Sequence, residues 1–150
     1  MPLLAIDPGN EFSAYVIAET DTLRPIEFGK IPNDELLEKI KGYNDHILAI
    51  EMVASYGMAV GKEVFETVFW IGRFWEACYK LSKTKIYRKD VKINLCGSMK
   101  AKDANIRQAL IDRFGVVGTK KHQGFFYGFK SDIWSAYAVL VTYHDLHLKT

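Results

Sequence analysis

No apolar run in this sequence is long enough to cross a bilayer, and its first residues lack a basic stretch followed by a long apolar one. A soluble protein that is not exported is therefore expected. Cysteine is scarce. Cys78 and Cys96 form neither a metal-ligand pattern nor a disulfide framework, and both sit among apolar neighbours, as buried reduced thiols do. Internal repeats, linkers and low-complexity tracts are missing. At 150 residues, the chain is expected to form one domain, residues 1–150, large enough to bury a real core. Net charge is also small, at +2, but it hides an asymmetry. Residues 1–79 carry 6 Lys and Arg against 13 Asp and Glu, whereas residues 80–130 carry 13 against 3. So dense a basic segment suggests a surface that meets a polyanion; a solvated lysine-rich face is the plainer alternative.

What is present is organised around Leu3-Leu4-Ala5-Ile6-Asp7-Pro8-Gly9. A short apolar run ends in a carboxylate, and Pro8-Gly9 stops it at once. Asp7 is thus expected at the carboxyl end of a buried strand, facing a cleft. Phe12 to Ala18 reads as a second strand forming a hairpin with the first, and Pro25 to Ile31 as a third, alternating Ile26, Phe28 and, less cleanly, Lys30. A helix opens after Pro32, with an apolar face of Leu36, Leu37 and Ile40, and Gly42 ends it. His46 to Glu51 repeats the first strand's pattern: an apolar run, a carboxylate, then a loop. With the helix as crossover, these two strands lie parallel and bring Asp7 and Glu51 to the same sheet edge.

Lys62 to Leu81 is the longest helical candidate, with an aromatic stripe that reads as core or as a dimer interface. A short strand, Lys85–Tyr87, leads into a basic helical turn from Arg88 to Leu95, stopped at Gly97. A further helix starts at Ser98 or Lys100 and runs to Phe114. Residues 115–129 form a glycine-rich loop, a length often tied to function. A last helix, Asp132 to about Leu146, is apolar nearly all round and hence buried, with Ser131 as its candidate cap. Asp132 stands in its first turn, where a carboxylate favours the helix dipole and can also face a cleft.

Three acids therefore occupy structured ends. Crowded carboxylates repel and call for cations, and hard divalent ions suit oxygen ligands. Two Mg²⁺ ions about 4 Å apart can activate a water and stabilise the leaving oxygen of a phosphodiester. The order hairpin, strand, helix, strand, helix, strand, helix with these acids is the ribonuclease H-like pattern: an α/β fold with a five-stranded mixed sheet flanked by helices.

The sequence resembles the RuvC family of Holliday-junction resolvases, in a short, phage-type form. Ala5-Ile6-Asp7-Pro8-Gly9 with Ala14-Tyr15-Val16-Ile17 is similar to the family's opening motif, and Ala49-Ile50-Glu51-Met52-Val53 to its second. Arg88-Lys89-Asp90-Val91-Lys92 running to Gly97 resembles the basic region, in which Lys92 matches a functional lysine. Lys102 and Asp103 fall where a second lysine is expected, so Lys100 or Lys102 can serve. Asp132 through Thr142 aligns onto the terminal helix. The resemblance implies a cytoplasmic homodimer (host cytoplasm if phage-encoded) that grips four-way DNA junctions in recombination, replication or packaging. It implies paired nicks made with Mg²⁺, or Mn²⁺ in its place, leaving 5′ phosphates. Asp7, Glu51 and Asp132 carry over as catalytic metal ligands. Lys92, Lys100, Lys102 and Arg107, with Lys120, Lys121 and Lys130, are candidates for phosphate contact, which positions DNA without reading its sequence.

Two departures stand out. The family places two acids, or a His and an Asp, three residues apart on the last helix. Here the better register puts Asp132 first and Ser135 second; a register shifted by three puts Phe129 first and Asp132 second. Either way one ligand is missing, with Ser135 helping only weakly or through water and Asp103 a less favoured substitute. The family also inserts an aromatic wedge after its second motif. Position 54 is Ala, which leaves Tyr56 as the candidate wedge. The rival readings are a non-catalytic binder of branched DNA, a ribonuclease acting on RNA–DNA hybrids, and an actin-like phosphotransferase. The last needs two such domains and more phosphate-binding turns than this chain holds.

Overall fold

The computed structural model describes residues 1–79 and 81–149. β1 (Pro2–Asp7), β2 (Phe12–Glu19) and β3 (Pro25–Pro32) form an antiparallel meander. α1 (Asn33–Lys41) then crosses over to β4 (Ile47–Met52), which runs parallel to β1. α2 (Lys62–Ala77) leads to β5 (Lys83–Tyr87), parallel to β4. The resulting five-stranded mixed sheet has the order β3-β2-β1-β4-β5, with β1 at its centre. α3 (Arg88–Cys96), α4 (Asp103–Phe114) and α5 (Ile133–Tyr143) complete the fold, and α5 runs on into a π-helical turn, His144–Leu148.

Each strand of the central pair is apolar on both faces because both are covered. Leu4, Ile6, Leu48 and Ile50 pack under α1 and α2 with Leu36, Ile40, Ile71 and Phe74. Leu3, Ala5, Ile47 and Ala49 face the other way, toward α5. Ala14 and Ala18 of β2 share that second face, and small side chains there let α5 lie close to the sheet. Successive strand residues alternate faces. Asp7 therefore follows Leu3 and Ala5 onto the α5 side, and Glu51 follows Ile47 and Ala49 there. That parity decides where the acids point.

The turn after Asp7 is pinned by a buried polar network. Ser13 Oγ donates to Asn33 Oδ1 at 2.6 Å, Asn33 Nδ2 donates to the Gly9 carbonyl at 2.9 Å, and the Gly9 N–H donates to Ser13 Oγ at 3.1 Å. Gly9 has no room for a side chain, since a Cβ there would stand 2.3 Å from the Phe12 carbonyl oxygen. Asn33→Ala takes the acceptor from the Ser13 hydroxyl and the side-chain donor from the Gly9 carbonyl. We expect it to cost about 2 kcal/mol in a denaturant titration, with a fall in any activity that needs Asp7 held in place.

Several expectations change in detail. α2 ends at Ala77, short of the anticipated Leu81, and Lys80 of that stretch lies outside the described residues. Ile71 and Phe74 of α2 are buried and Trp70 and Trp75 pack against that core, whereas Phe65 and Phe69 are 65% and 64% exposed, so only part of its aromatic stripe is core. In β3, Ile26 falls in a register shift opposite Ile17 and Ala18 and is exposed, while Phe28 keeps to the α5 face. The bulge breaks the alternation that the sequence suggested. Ser131 makes no capping bond and adopts a φ of +52°. Cys78 is buried, as expected, and burial pushes its thiol up to about 11, whereas Cys96 is only half-buried. The glycine-rich loop folds back through a bridge between Gly118 and Gln123 and buries Phe126 against Tyr137 and Trp134.

Candidate nuclease site

The register lays the candidate residues in one row across the sheet. Asp7 pairs with Ala14, and Ala14 with Lys30 on the next strand. On the other side, β1 and β4 pair up to Ile6 and Ile50, which sets Asp7 beside Glu51, and Glu51 pairs with Ile86 of β5. Asp132 immediately precedes α5 on the covered face and caps nothing with its side chain. Its carboxylate is turned to Lys30, whose Nζ donates to Oδ2 at 2.6 Å. The capping role open to Asp132 from sequence is therefore not the one it takes.

The acids sense one another. Asp7 is pushed up to about 8, first by burial, then by the charges of Glu51 and Asp132, with Arg88 acting the opposite way. Glu51 is also raised, mainly by burial, against the pull of Arg88 and of a hydrogen bond with Asp7. Glu51 Oε1 is buried and has no hydrogen-bond partner. Arg88 Nη1 lies 3.9 Å from that oxygen, too far to satisfy it. Arg88 Nη2 is bonded to Asp103. A cleft of about 150 Å³ opens beside this group, lined by Arg88, Asp103, Arg107, Asp132, Trp134 and Ser135 among others.

Of the residues singled out from sequence, Asp7, Glu51 and Asp132 meet electrostatically, and Ser135 and Arg107 join Asp132 on the cleft. The Arg107 guanidinium lies 5.9 Å from the Trp134 ring centre. Lys92 is half-buried on α3, and Lys100 and Lys102 are exposed just ahead of α4. Tyr56 is 62% exposed in the loop after β4, with a φ of +51°. Sequence reasoning did not assign Lys30 or Arg88 to the site. Lys30 could have been found from its register with Asp7 across β2; nothing local marks Arg88 as different from the other cations around it.

The donors suit a hard divalent cation: carboxylate oxygens, excess negative charge, and one buried oxygen lacking a partner. Among the described residues, no three His, Cys, Asp or Glu side chains already stand at the spacing of a finished metal site. The cationic neighbours Lys30 and Arg88 take part of the neutralising role instead.

No protein-family model and no curated protein matches the sequence. Solved structures do. RuvC of T. thermophilus in complex with a Holliday junction substrate aligns over 95% of this chain and 92% of its own, with a TM-score of 0.71 and 16% identity. Thermus thermophilus RuvC by itself aligns over 97% and 96%, with a TM-score of 0.68 and 14% identity. This chain therefore has the ribonuclease H-like fold of the RuvC Holliday-junction resolvases.

Proposed function

We propose that the protein is a divalent-metal-dependent, structure-selective DNA endonuclease that resolves Holliday junctions and related branched DNA. The observation that supports this reading is that Asp7 and Glu51 stand side by side at the carboxyl ends of β1 and β4, with the charge of Asp132, at the start of α5, raising both. Asp7 and Glu51 hold their oxygens on a rigid sheet row, and Asp132 approaches from the helix packed over it. When bound, Mg²⁺ or Mn²⁺ would lower the pKa of a water and stabilise developing charge on the leaving oxygen. Asp7, held above the ordinary carboxylate range, would have to be ionised to hold such a cation. Ser135 offers the cleft a neutral hydroxyl where an acid is expected from the resemblance. Cytoplasmic action on recombining phage DNA belongs to this same reading.

Nicking of synthetic four-way, three-way and linear DNA, with wild type beside Glu51→Gln, tests it. Divalent-dependent incision of branched substrates alone, lost in the variant, is the expected result. Incision of linear DNA at equal rates would defeat the claim of structure selectivity. A junction binder that does not cut is the second reading, favoured by Ser135 and by the Lys30–Asp132 ion pair; wild type silent in both Mg²⁺ and Mn²⁺ would establish it.

An exposed apolar face on α2 supports a homodimer. Phe65, Phe69 and Val68 form an exposed apolar face on the side away from the sheet, and a second copy is the occupant proposed for it. Sedimentation equilibrium should give a dimer for wild type and a monomer for Phe69→Asp; an unchanged mass for the variant would place the interface elsewhere.

A further inference from the structure

Arg88 opens α3 directly after β5 and reaches back over the acidic row. Its side chain is only 28% exposed, against 78% for its partner Asp103. Its other neighbour, Glu51 Oε1, is 3.9 Å from Nη1, beyond hydrogen-bond range. The guanidinium is thus steered by two carboxylates and fully satisfied by neither. Ion pairs with so exposed a partner are weakly held. A phosphate diester brings two oxygens that match the planar guanidinium fork, and such a pair is stronger and more directional than the one it would replace. A DNA phosphate entering this cleft must approach the carboxylates of Asp103 and Asp132 in its lining, and a cation there offsets that repulsion. At the position where the family resemblance expects a second lysine, Lys102 is followed by the acid Asp103, and it is Asp103 that holds Arg88 over the cleft.

We propose that Arg88 is the phosphate-binding cation of this cleft, released from beside Glu51 when DNA enters, and that Asp103 is the positioning residue that orients it. This rests on the nuclease reading above. The two can fail separately, because Asp7→Asn tests that reading and Arg88 variants test this one.

The experiment is single-turnover nicking of a four-way junction by Arg88→Met, Arg88→Lys, Asp103→Ala and the Arg88→Met/Asp103→Ala double variant. Mn²⁺ binding without DNA is followed by electron paramagnetic resonance, and melting is recorded for each protein. At saturating enzyme, Arg88→Met should nick about 10²-fold more slowly, while junction affinity changes less than about tenfold. Arg88→Lys should recover part of the rate. Asp103→Ala should lose less than Arg88→Met, and the double variant should be no worse than Arg88→Met, the non-additivity expected of two residues in one unit. Mn²⁺ should bind Arg88→Met more tightly, because a competing cation has left Glu51. An unchanged saturating rate in Arg88→Met, or additive losses in the double variant, would overturn the proposal. Weaker Mn²⁺ binding with a large drop in melting temperature would overturn it too, by showing a structural role. Should Arg88→Met not fold, the rates of Arg88→Lys and Asp103→Ala decide: wild-type rates in both would refute the assignment.

Discussion

Asp7→Asn should abolish junction nicking and leave junction binding intact. The substitution keeps the shape of the side chain, and its amide can still donate to Glu51, so the end of β1 should hold its geometry. What disappears is the anionic oxygen at the centre of the row. Charge stabilisation by a bound divalent ion is worth several kcal/mol, so losing it should slow nicking by at least about 10³-fold. Binding should be spared or slightly tightened, because one negative charge facing the DNA is gone. The same variant should be more stable than wild type when no divalent ion is present. The folded-state pKa of Asp7 is raised, to about 8. The folded protein therefore holds a proton that the unfolded chain has already released over the interval from about 4 to about 8. Wild-type stability falls as pH rises through that window, and the variant lacks this term. Its advantage in melting temperature should grow from pH 5 to pH 8 and shrink when Mn²⁺ is added to the wild type. A melting difference independent of pH would show that Asp7 is not strained by its neighbours.

Junction affinity should collapse with salt. The basic segment from 80 to 130 carries 13 Lys and Arg against 3 acids, but not all of these cations are free. Arg113 is held in two hydrogen bonds to Asp145, at 2.7 and 2.8 Å, and Arg88 is engaged with Asp103. Lys100, Lys102, Arg107, Lys120, Lys121 and Lys130 are exposed, and Lys92 partly so. If about five of these meet phosphates, affinity should drop roughly 10²- to 10³-fold between 50 and 200 mM salt. Replacing Lys102 or Lys92 by Gln should flatten the slope of log affinity against log salt by about 1 unit each, and weaken all branched substrates alike. Arg113→Gln should leave the slope unchanged and instead loosen the C-terminal turn, where Asp145 also accepts from Asn94. A salt slope near zero in wild type would mean that DNA is gripped by something other than this face.

The sheet and the position of its acids were legible because they follow from local rules. The run Leu3 to Ile6 is apolar at every position, which requires cover on both faces. The parity of Asp7 and Glu51 then follows from counting by twos. α5 was legible for the same reason, since an all-round apolar helix has to be the buried one. What escaped was set by tertiary contact. Lys30 reaches Asp132 across 102 residues of chain, and Arg88 and Asp103 meet only because α3 and α4 pack side by side. The displacement of Ile26 comes from a bulge, which leaves no mark in composition. The α2 aromatics illustrate a different limit: periodicity shows that a helix has an apolar stripe, and Val64 to Cys78 has one. It cannot show whether the chain's own sheet or another copy covers it. In the protomer the sheet side buries Ile71 and Phe74 with Trp70 and Trp75 against them, and leaves Phe65 and Phe69 exposed.

All of this turns on whether the row formed by Asp7 and Glu51, with Asp132 above it, holds a divalent cation. Anomalous diffraction from crystals soaked in Mn²⁺ addresses that most directly. The account predicts a manganese peak within ligand distance of Asp7 and Glu51, with Arg88 drawn away from Glu51 Oε1 and the Lys30–Asp132 pair opened if a second ion binds. Manganese found only at other surface acids, with Asp7, Glu51 and Arg88 unmoved, would contradict it.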